Sequence, residues 1–304
     1  MGDDITATGG PAGAAPALAD APPKDAPRYS PEWLALREPA DAAARAAGLL
    51  GPLRAHLAAA VPPGGRIVVR DLGCGTGSMG RWLAPRLPGP QHWILHDHDP
   101  ELLARAVAAL PAAAADGAPV TAAAAPGDLT RLDAADLAGA TLVTASALLD
   151  LLTADEVEAL AAACAAAGLP ALLTISVVGR VGLDPAEPLD AALAAAFNDH
   201  QRREHGGRRL LGPDAVPAAR AAFERHGYAV HVVPSPWRLG PGRRALLAEW
   251  LRGWVGAACE QRPELAAAGE AYLRRRLAEC AAGRLRATVG HADLLALPAD
   301  GGGR

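Results

Sequence analysis

Short apolar runs alternate with longer segments of helical periodicity along most of the chain, and this alternation is the first indication of its fold. Apolar or β-branched runs typical of strands occur at 67–69, 92–97, 120–124, 141–146, 171–178, 230–233 and 284–289. Between several of them, apolar residues recur at helical spacing, as in 100–110 and 153–167. Strands that alternate with helices predict an α/β fold on a mostly parallel sheet, here of seven strands.

The residues before the first strand have a different character. Residues 1–28 are rich in Ala, Pro, Gly and Asp and have no basic region followed by an apolar core, so we expect a disordered leader and not a signal peptide. Residues 29–62 predict a helical cap. Ser30 and Pro31 are typical of a helix start, Pro39 is expected to interrupt the helix, and a second helix should stop at residues 51–52.

The remaining domain, expected at 63–300, carries two long insertions with helical character. The first covers about residues 179–226, between the fifth and sixth strands, and the second covers about 237–282, before the seventh strand. In the second insertion Trp250 and Trp254 lie one helical turn apart, which is typical of packing in a core. An open parallel sheet binds ligands beyond the carboxyl ends of its strands, so we expect the first insertion to border a ligand pocket.

Composition limits the classes of function. The chain has 304 residues, 51% of them hydrophobic, which is enough for one large α/β domain with insertions. The formal net charge of −4 gives no basic footprint for nucleic acid. The four cysteines form no C-x-x-C pair, so neither a zinc site nor a disulfide framework is expected, and no apolar stretch has the length of a membrane span. We expect a cytoplasmic protein without a metal.

A glycine-rich segment follows the first strand and carries the clearest chemistry. Asp71 ends the strand, and Gly73, Gly75 and Gly77 follow at alternate positions. Glycines at this spacing allow a sharp turn and a close approach to a ligand. Together with Gly80, the last two also satisfy G-x-G-x-x-G, the fingerprint of dinucleotide-binding proteins. Asp71 argues against a dinucleotide, because a negatively charged pyrophosphate gains nothing from a neighbouring carboxylate. A ligand with a cationic group does gain from one.

The pattern Asp71-x-Gly73-x-Gly75-x-Gly77 resembles motif I of class I S-adenosylmethionine (SAM)-dependent methyltransferases. The resemblance implies a doubly wound, Rossmann-like sheet with SAM as cofactor. It also implies that Asp97, at the end of the second strand, accepts the ribose hydroxyls. Asp128, in the segment 127–129, would accept the adenine amino group, and the backbone amide of Leu129 would meet a ring nitrogen. The same resemblance implies that three residues beside these motifs also contact the cofactor: Cys74, His98 and Ser146.

Two sites have open alternatives. An arginine of the N-terminal cap, Arg37 or Arg45, could meet the methionine carboxylate, as the resemblance suggests; Arg45 could instead form an i, i+4 surface pair with Asp41. Asp150 follows the fourth strand and either orients the methyl acceptor or is an ordinary surface acid at a helix start. Asp99, next to Pro100, is expected to cap the following helix.

The chain is therefore expected to methylate an O or N atom of a small molecule, as a monomer or homodimer, with His200 of the first insertion as candidate general base. An exposed helix of mixed charge is the alternative explanation of that histidine. Two other functions stay open: a nicotinamide-dependent oxidoreductase using the same glycine turn, and a non-catalytic SAM-binding regulator. The first lacks an evident Tyr-x-x-x-Lys dyad.

Overall fold

The computed structural model describes residues 29–127 and 133–299. The expected leader, Asp128 and Leu129 lie outside these ranges. The nine helices of the described part are α1 (Pro31–Ala44), α2 (Leu50–Ala60), α3 (Ser78–Leu83), α4 (Pro100–Ala109), α5 (Ala154–Ala167), α6 (Asp190–Gln201), α7 (Ala215–Arg225), α8 (Arg244–Gln261) and α9 (Ala266–Ala281). Its strands are β1 (Ile67–Leu72), β2 (Gln91–Asp97), β3 (Val120–Pro126), β4 (Leu142–Ser146), β5 (Ala171–Asp184), β6 (Glu204–His205), β7 (Arg208–Arg209), β8 (Tyr228–Pro234), β9 (Trp237–Leu239) and β10 (Arg286–Pro298).

The central sheet has the strand order β3-β2-β1-β4-β5-β10-β8, with β9 added beside β10. The first five strands of this order pair in parallel, and β10 runs antiparallel to both β5 and β8. The expected mostly parallel sheet of seven main strands is thus confirmed. Because the order reverses between β1 and β4, the carboxyl ends of these two strands form the crevice in which such sheets bind ligands.

Helices cover both faces of the sheet, as the doubly wound expectation requires. One core combines α2, α3 and α4 with the sheet, and Leu53 and Trp93 are fully buried there. The other combines α5 and α7 with the sheet around Leu160 and Phe223. The strands are buried between two helical layers, which explains their continuous apolar sequences.

A helical lobe, which we define as α6, α8 and α9, packs on the far ends of β5 and β10. Its core includes Trp250 and Trp254, whose rings stack with centroids 5.2 Å apart. The interpretation of this tryptophan pair as core is confirmed, since Trp254 is 1% exposed. The lobe also contacts α1, so it joins the N-terminal cap to the sheet.

The expected break at Pro39 is wrong, because α1 continues through it to Ala44. The missing amide of a mid-helix proline costs about 3 kcal/mol. Packing on both sides of Pro39 offsets this cost: Glu38 pairs with Arg81 of α3, and Ala40 is buried against the helical lobe. The expected stop at 51–52 is also wrong, since α2 begins at Leu50.

The structure extends two strands beyond the sequence expectation. β5 continues to Asp184 rather than to residue 178, and β10 runs on to Pro298 rather than ending at residue 289. The expectation stopped early because glycines interrupt both apolar runs. Paired with each other and with β9, these strands form the ribbon that carries the helical lobe. In the described part of the chain, every helix is too short or too polar to cross a membrane.

Candidate cofactor site at the carboxyl ends of the strands

The glycine loop connects β1 to α3 in a tight path. Gly73, Gly75 and Gly77 all have positive φ, at 60°, 54° and 85°. The loop is tied to the sheet because the Cys74 amide donates to the carbonyl of His96 at 2.9 Å. Such backbone angles are easy only for glycine, so the sequence pattern is explained by conformation.

Close packing adds a second reason for two of these glycines. A Cβ on Gly77 would lie 3.1 Å from the backbone of Ala106 in α4, and one on Gly75 would lie 3.2 Å from Leu34 of α1. Cys74 of the same loop is a small buried side chain, and burial raises its thiol pKa well above the usual value. The loop therefore lies directly under α1 and against α4.

Asp97 at the end of β2 braces the same loop. Its Oδ2 accepts from the Gly75 amide at 2.8 Å, and its Oδ1 accepts from the Asp99 amide at 3.0 Å. His98 lies beside it, with Nδ1 3.5 Å from Oδ1. Asp99 caps α4 by accepting from the Glu101 amide at 2.9 Å, as expected. A carboxylate oxygen can accept more than one hydrogen bond, so Asp97 retains capacity for ligand hydroxyls.

Asp71 lies beneath the loop, fully buried. Its Oδ1 accepts from Thr144 Oγ1 of β4 at 2.7 Å, whereas its Oδ2 has no hydrogen-bond partner in the described ranges. Burial raises its pKa to about 7, against the opposing effects of the Thr144 bond and the charge of Arg45. A carboxyl in this state readily takes on negative charge when a cation approaches.

Arg45 is the most informative residue of the site. It caps the C-terminus of α1, is 4% exposed, and extends its guanidinium toward the start of α3, the end of β4 and a residue within β5. Nη2 donates to Ser78 Oγ at 2.7 Å and to Ser146 Oγ at 2.9 Å, and Nε donates to Thr174 Oγ1 at 3.4 Å. Within the ranges that the structure describes, no carboxylate forms an ion pair with it.

The alternative surface pair of Arg45 with Asp41 is wrong. Asp41 is buried and pairs with Arg37 at 3.0 Å, and its Oδ1 accepts from the indole of Trp237 at 2.9 Å. Arg37 and Arg45 both lie four residues from Asp41. Arg37 forms the ion pair with Asp41, and the side chain of Arg45 points into the site. Burial lowers the pKa of Arg45, while the nearby charges of Asp41, Asp293 and Asp71 oppose that shift.

The sequence analysis did not identify Asp293, whose side chain connects the end of α1 to β5 and to the segment after β8. Its buried carboxylate accepts from the amides of Ala46 at 2.7 Å and Ile175 at 2.8 Å, and from Ser235 Oγ at 2.5 Å. Ile175 has a positive φ of 56°, a costly conformation for a β-branched residue. An isolated acid within the apolar run of β10 was the available signal for this role.

His200 lies in the helical lobe, on α6. Its Nε2 is 3.3 Å from Glu260 Oε2 on α8, and Arg203 bonds both residues. The structure therefore brings together Asp71, the glycine loop, Asp97, His98, Ser146 and Arg45, whereas His200 contacts Arg203 and Glu260 in the helical lobe. Its role in catalysis stays a prediction.

The chain is similar in sequence to a family model and in fold to solved structures. Residues 69–169, about a third of the chain, match a family model described as a methyltransferase domain. Among curated proteins, none matches the sequence. The chain is similar to a SAM-dependent methyltransferase from Geobacter sulfurreducens crystallised with S-adenosyl-L-homocysteine, at 20% identity, 89% and 99% coverage of the two chains, and a TM-score of 0.42.

It is also similar to the cyclopropane synthase MmaA2 from Mycobacterium tuberculosis, at 12% identity, 88% and 94% coverage and a TM-score of 0.44. Both structural similarities are too distant to bear on function. The resemblance expected from the sequence is confirmed by the family model over the segment that holds the glycine loop, Asp97 and Ser146.

Proposed function

We propose that this chain, whose residues 69–169 belong to the methyltransferase-domain family, binds SAM and transfers its methyl group to an O or N atom of a small molecule. The acceptor side of this proposal draws on the net charge of −4, which disfavours nucleic acid, and on the helical lobe beside the strand ends. A cytoplasmic location is part of the same proposal.

The observation that carries the proposal is the Arg45 guanidinium. A buried charge is strongly unfavourable unless an opposite charge or several hydrogen bonds compensate it, and Arg45 has hydroxyl partners but no carboxylate in the described part of the structure. The carboxylate of the methionine moiety of SAM would compensate the buried charge of Arg45. Asp97 lies at the end of the neighbouring strand, where the ribose hydroxyls would bind.

The other predicted contacts fit around these two anchors. The loop at Gly73–Gly77 would face the cofactor with its backbone, and Asp71 would stabilise the positive sulfonium from below. His98, Ser146 and Cys74 line the same strand ends. The adenine contacts of Asp128 and Leu129 stay predictions from the sequence.

The chemistry that SAM supplies when bound is an activated methyl group on a sulfonium. The protein has to hold an acceptor in line with that group and exclude water, and such positioning can lower a barrier by about 7–11 kcal/mol. We keep His200 as candidate base, which could add about 10²–10⁴-fold where the acceptor must lose a proton. To act, its Nε2 must be released from Glu260.

Calorimetric titration tests the cofactor assignment with SAM, S-adenosylhomocysteine and NAD as ligands. We expect the first two to bind and NAD not to bind. Asp97→Ala should abolish binding, whereas Asp99→Ala, two residues away, removes only a helix cap and should retain it. Tight NAD binding without SAM binding, or full affinity in Asp97→Ala, would contradict the proposal.

A transfer assay tests the catalytic part. The protein is incubated with methyl-labelled SAM and a deproteinised small-molecule extract, and labelled products are separated. The expected result is at least one labelled small molecule that depends on the protein. Binding without any product would instead favour a regulatory SAM-binding module.

A further inference from the structure

The ribbon formed by β5, β9 and β10 has one buried face and one exposed face. Ala287 and Val289 of β10 belong to the core of the helical lobe, whereas Arg286 and Thr288, which alternate with them, are exposed. Successive residues of a strand point to opposite sides of a sheet, so the pairing of the strands assigns the remaining residues to the same two faces. The backbone of the exposed face is held in place because the other face packs against the lobe.

Three arginines surround Thr288 on this exposed face, which we call the arginine face. Arg238 of β9 lies directly opposite Thr288, and Arg286 lies two residues before it in β10. Arg180 of β5 completes the group, since its Cβ lies 3.1 Å from the position that a Cβ on Gly290 would take. Opposite and diagonal positions on a sheet are about 5–8 Å apart, so the three side chains emerge from one small area around Thr288.

The charges of the arginine face are not compensated by the part of the chain that the structure describes. Among residues 29–127 and 133–299, Arg180, Arg238 and Arg286 form neither an ion pair nor a side-chain hydrogen bond. Asp184 lies opposite Arg286 at the edge of the face and does not pair with it. By contrast, Arg220 of α7 is exposed and still pairs with an acid four residues away. The arginine face is therefore a local positive surface on a chain whose net charge is −4.

The shape and chemistry of this surface fit an anionic bilayer. Single-stranded nucleic acid is bound through aromatic side chains that stack on the bases, and the exposed positions of these three strands hold no aromatic residue. A bilayer presents many phosphate groups in one plane, so all three arginines can each meet one at the same time. The surface beside Thr288 is also open, because a Cβ on Gly182, its partner in β5, would meet nothing within 4 Å.

We propose that the arginine face docks the protein on a bilayer that contains anionic phospholipids. The guanidinium groups donate hydrogen bonds to lipid phosphate oxygens, and Thr288 lies at the centre of the contact. Arg243, just after β9, and Arg284, just before β10, add positive charge beside the face. The contact is peripheral and electrostatic, and it goes beyond the proposed methyl transfer without depending on it.

Co-sedimentation with sucrose-loaded vesicles tests this docking surface. The full chain is mixed with vesicles of phosphatidylglycerol and phosphatidylcholine in equal parts, or of phosphatidylcholine alone. At an ionic strength of about 0.1 M we expect binding to the anionic vesicles and none to the neutral ones. Raising the salt to about 0.5 M should release the protein, because exposed charges are then screened.

Two variants of the arginine face provide independent readouts. The triple variant Arg180→Gln/Arg238→Gln/Arg286→Gln should lose about 10²-fold in partitioning onto the anionic vesicles, since each arginine near such a surface contributes about fivefold. Thr288→Glu leaves the arginines in place but sets an acid among them, and it should weaken partitioning about tenfold. Urea unfolding of both variants checks that they are folded.

The matched control is the triple variant Arg220→Gln/Arg225→Gln/Arg274→Gln. It has the same net charge as the first triple variant but removes exposed arginines that pair with acids, so its partitioning should stay within about twofold of the wild type. Equal losses in the two triple variants, or unchanged partitioning in Thr288→Glu, would overturn the proposal. So would a wild-type protein that ignores anionic vesicles, or one that a DNA duplex at equal phosphate concentration removes from them. None of these results bears on SAM binding, which is measured separately.

Discussion

Replacement of Arg45 by methionine tests the assignment of the methionine carboxylate most directly. Methionine retains much of the side-chain length and the contact with Trp82, over which the guanidinium lies at 5.5 Å, but removes the charge. Ser78 and Ser146 keep their positions at the ends of their own elements. The substitution therefore removes the ligand's partner and leaves the backbone of the site in place.

The expected loss of affinity follows from the burial of Arg45. Breaking a buried ion pair by removing one partner costs about 3–5 kcal/mol. At about 1.4 kcal/mol for each tenfold change, this corresponds to a loss of about 10²–10⁴-fold in affinity for S-adenosylhomocysteine. We expect the lower end, because the two serine hydroxyls can still donate to the ligand carboxylate. Arg45→Lys should also lose affinity, since an ammonium lacks the planar fork that reaches several acceptors at once.

Two ligands and one control variant make the assay specific. Methylthioadenosine contains the adenosine and sulfur but lacks the amino acid, so Arg45→Met should leave its affinity within about threefold of the wild type while weakening S-adenosylhomocysteine. Arg86→Met removes the other arginine over Trp82, at 5.0 Å, and should affect neither ligand. Equal losses for both ligands in Arg45→Met would refute the carboxylate assignment, and so would an unchanged affinity for S-adenosylhomocysteine.

Three further outcomes are expected. Burial raises the pKa of Asp71 to about 7, so its neutral carboxyl group contributes to the free energy of unfolding. That contribution is fully present below about pH 4 and is lost as the pH rises through 7. In urea unfolding, the loss of stability between pH 5 and pH 8 should therefore be smaller in Asp71→Asn than in the wild type. Gly77→Ala should destabilise the protein more than Gly89→Ala, because the two glycines have similar φ, 85° and 83°, but only Gly77 lies against α4; equal free energies of unfolding for the two variants would contradict this. If His200 is the base, His200→Gln should lower methyl transfer by about 10²-fold and Glu260→Gln should not, although both remove the same side-chain contact; equal rates would argue for a structural role.

The sequence predicted those parts of the site that are local in the chain. The glycine loop and its acid stand within seven residues, and Asp97 ends the next strand, so alternate glycines and a strand-terminal acid sufficed to predict that they lie close together. The helix cap at Asp99 was found for the same reason, since its partners are two and three residues away. These features depend on backbone conformation and on hydrogen bonds of short range.

The rest could not be predicted because its partners are distant in sequence. Arg45 meets Thr174, 129 residues further on, and Asp293 meets Ile175 across 118 residues. The sequence left Arg45 open between a contact with the methionine carboxylate and a surface pair with Asp41, and only the packing of α1 over the sheet turns its side chain inward. Pro39 shows the same limit, because tertiary contacts outweighed its local tendency to end a helix.

The buried acids and the buried arginine of the site do not pair with each other. Each forms hydrogen bonds with hydroxyl groups or backbone amides. Asp71 accepts from Thr144, Asp293 accepts from Ser235 and two amides, and Arg45 donates to serines and a threonine. Had Arg45 paired directly with either acid, that ion pair would compete with any ligand carboxylate, and the ligand would have to break it first. Hydroxyls reorient at little cost because they both donate and accept. The separation of charges therefore leaves Arg45 ready for a ligand carboxylate and Asp71 ready for a cationic group, which matches the carboxylate and the sulfonium of SAM.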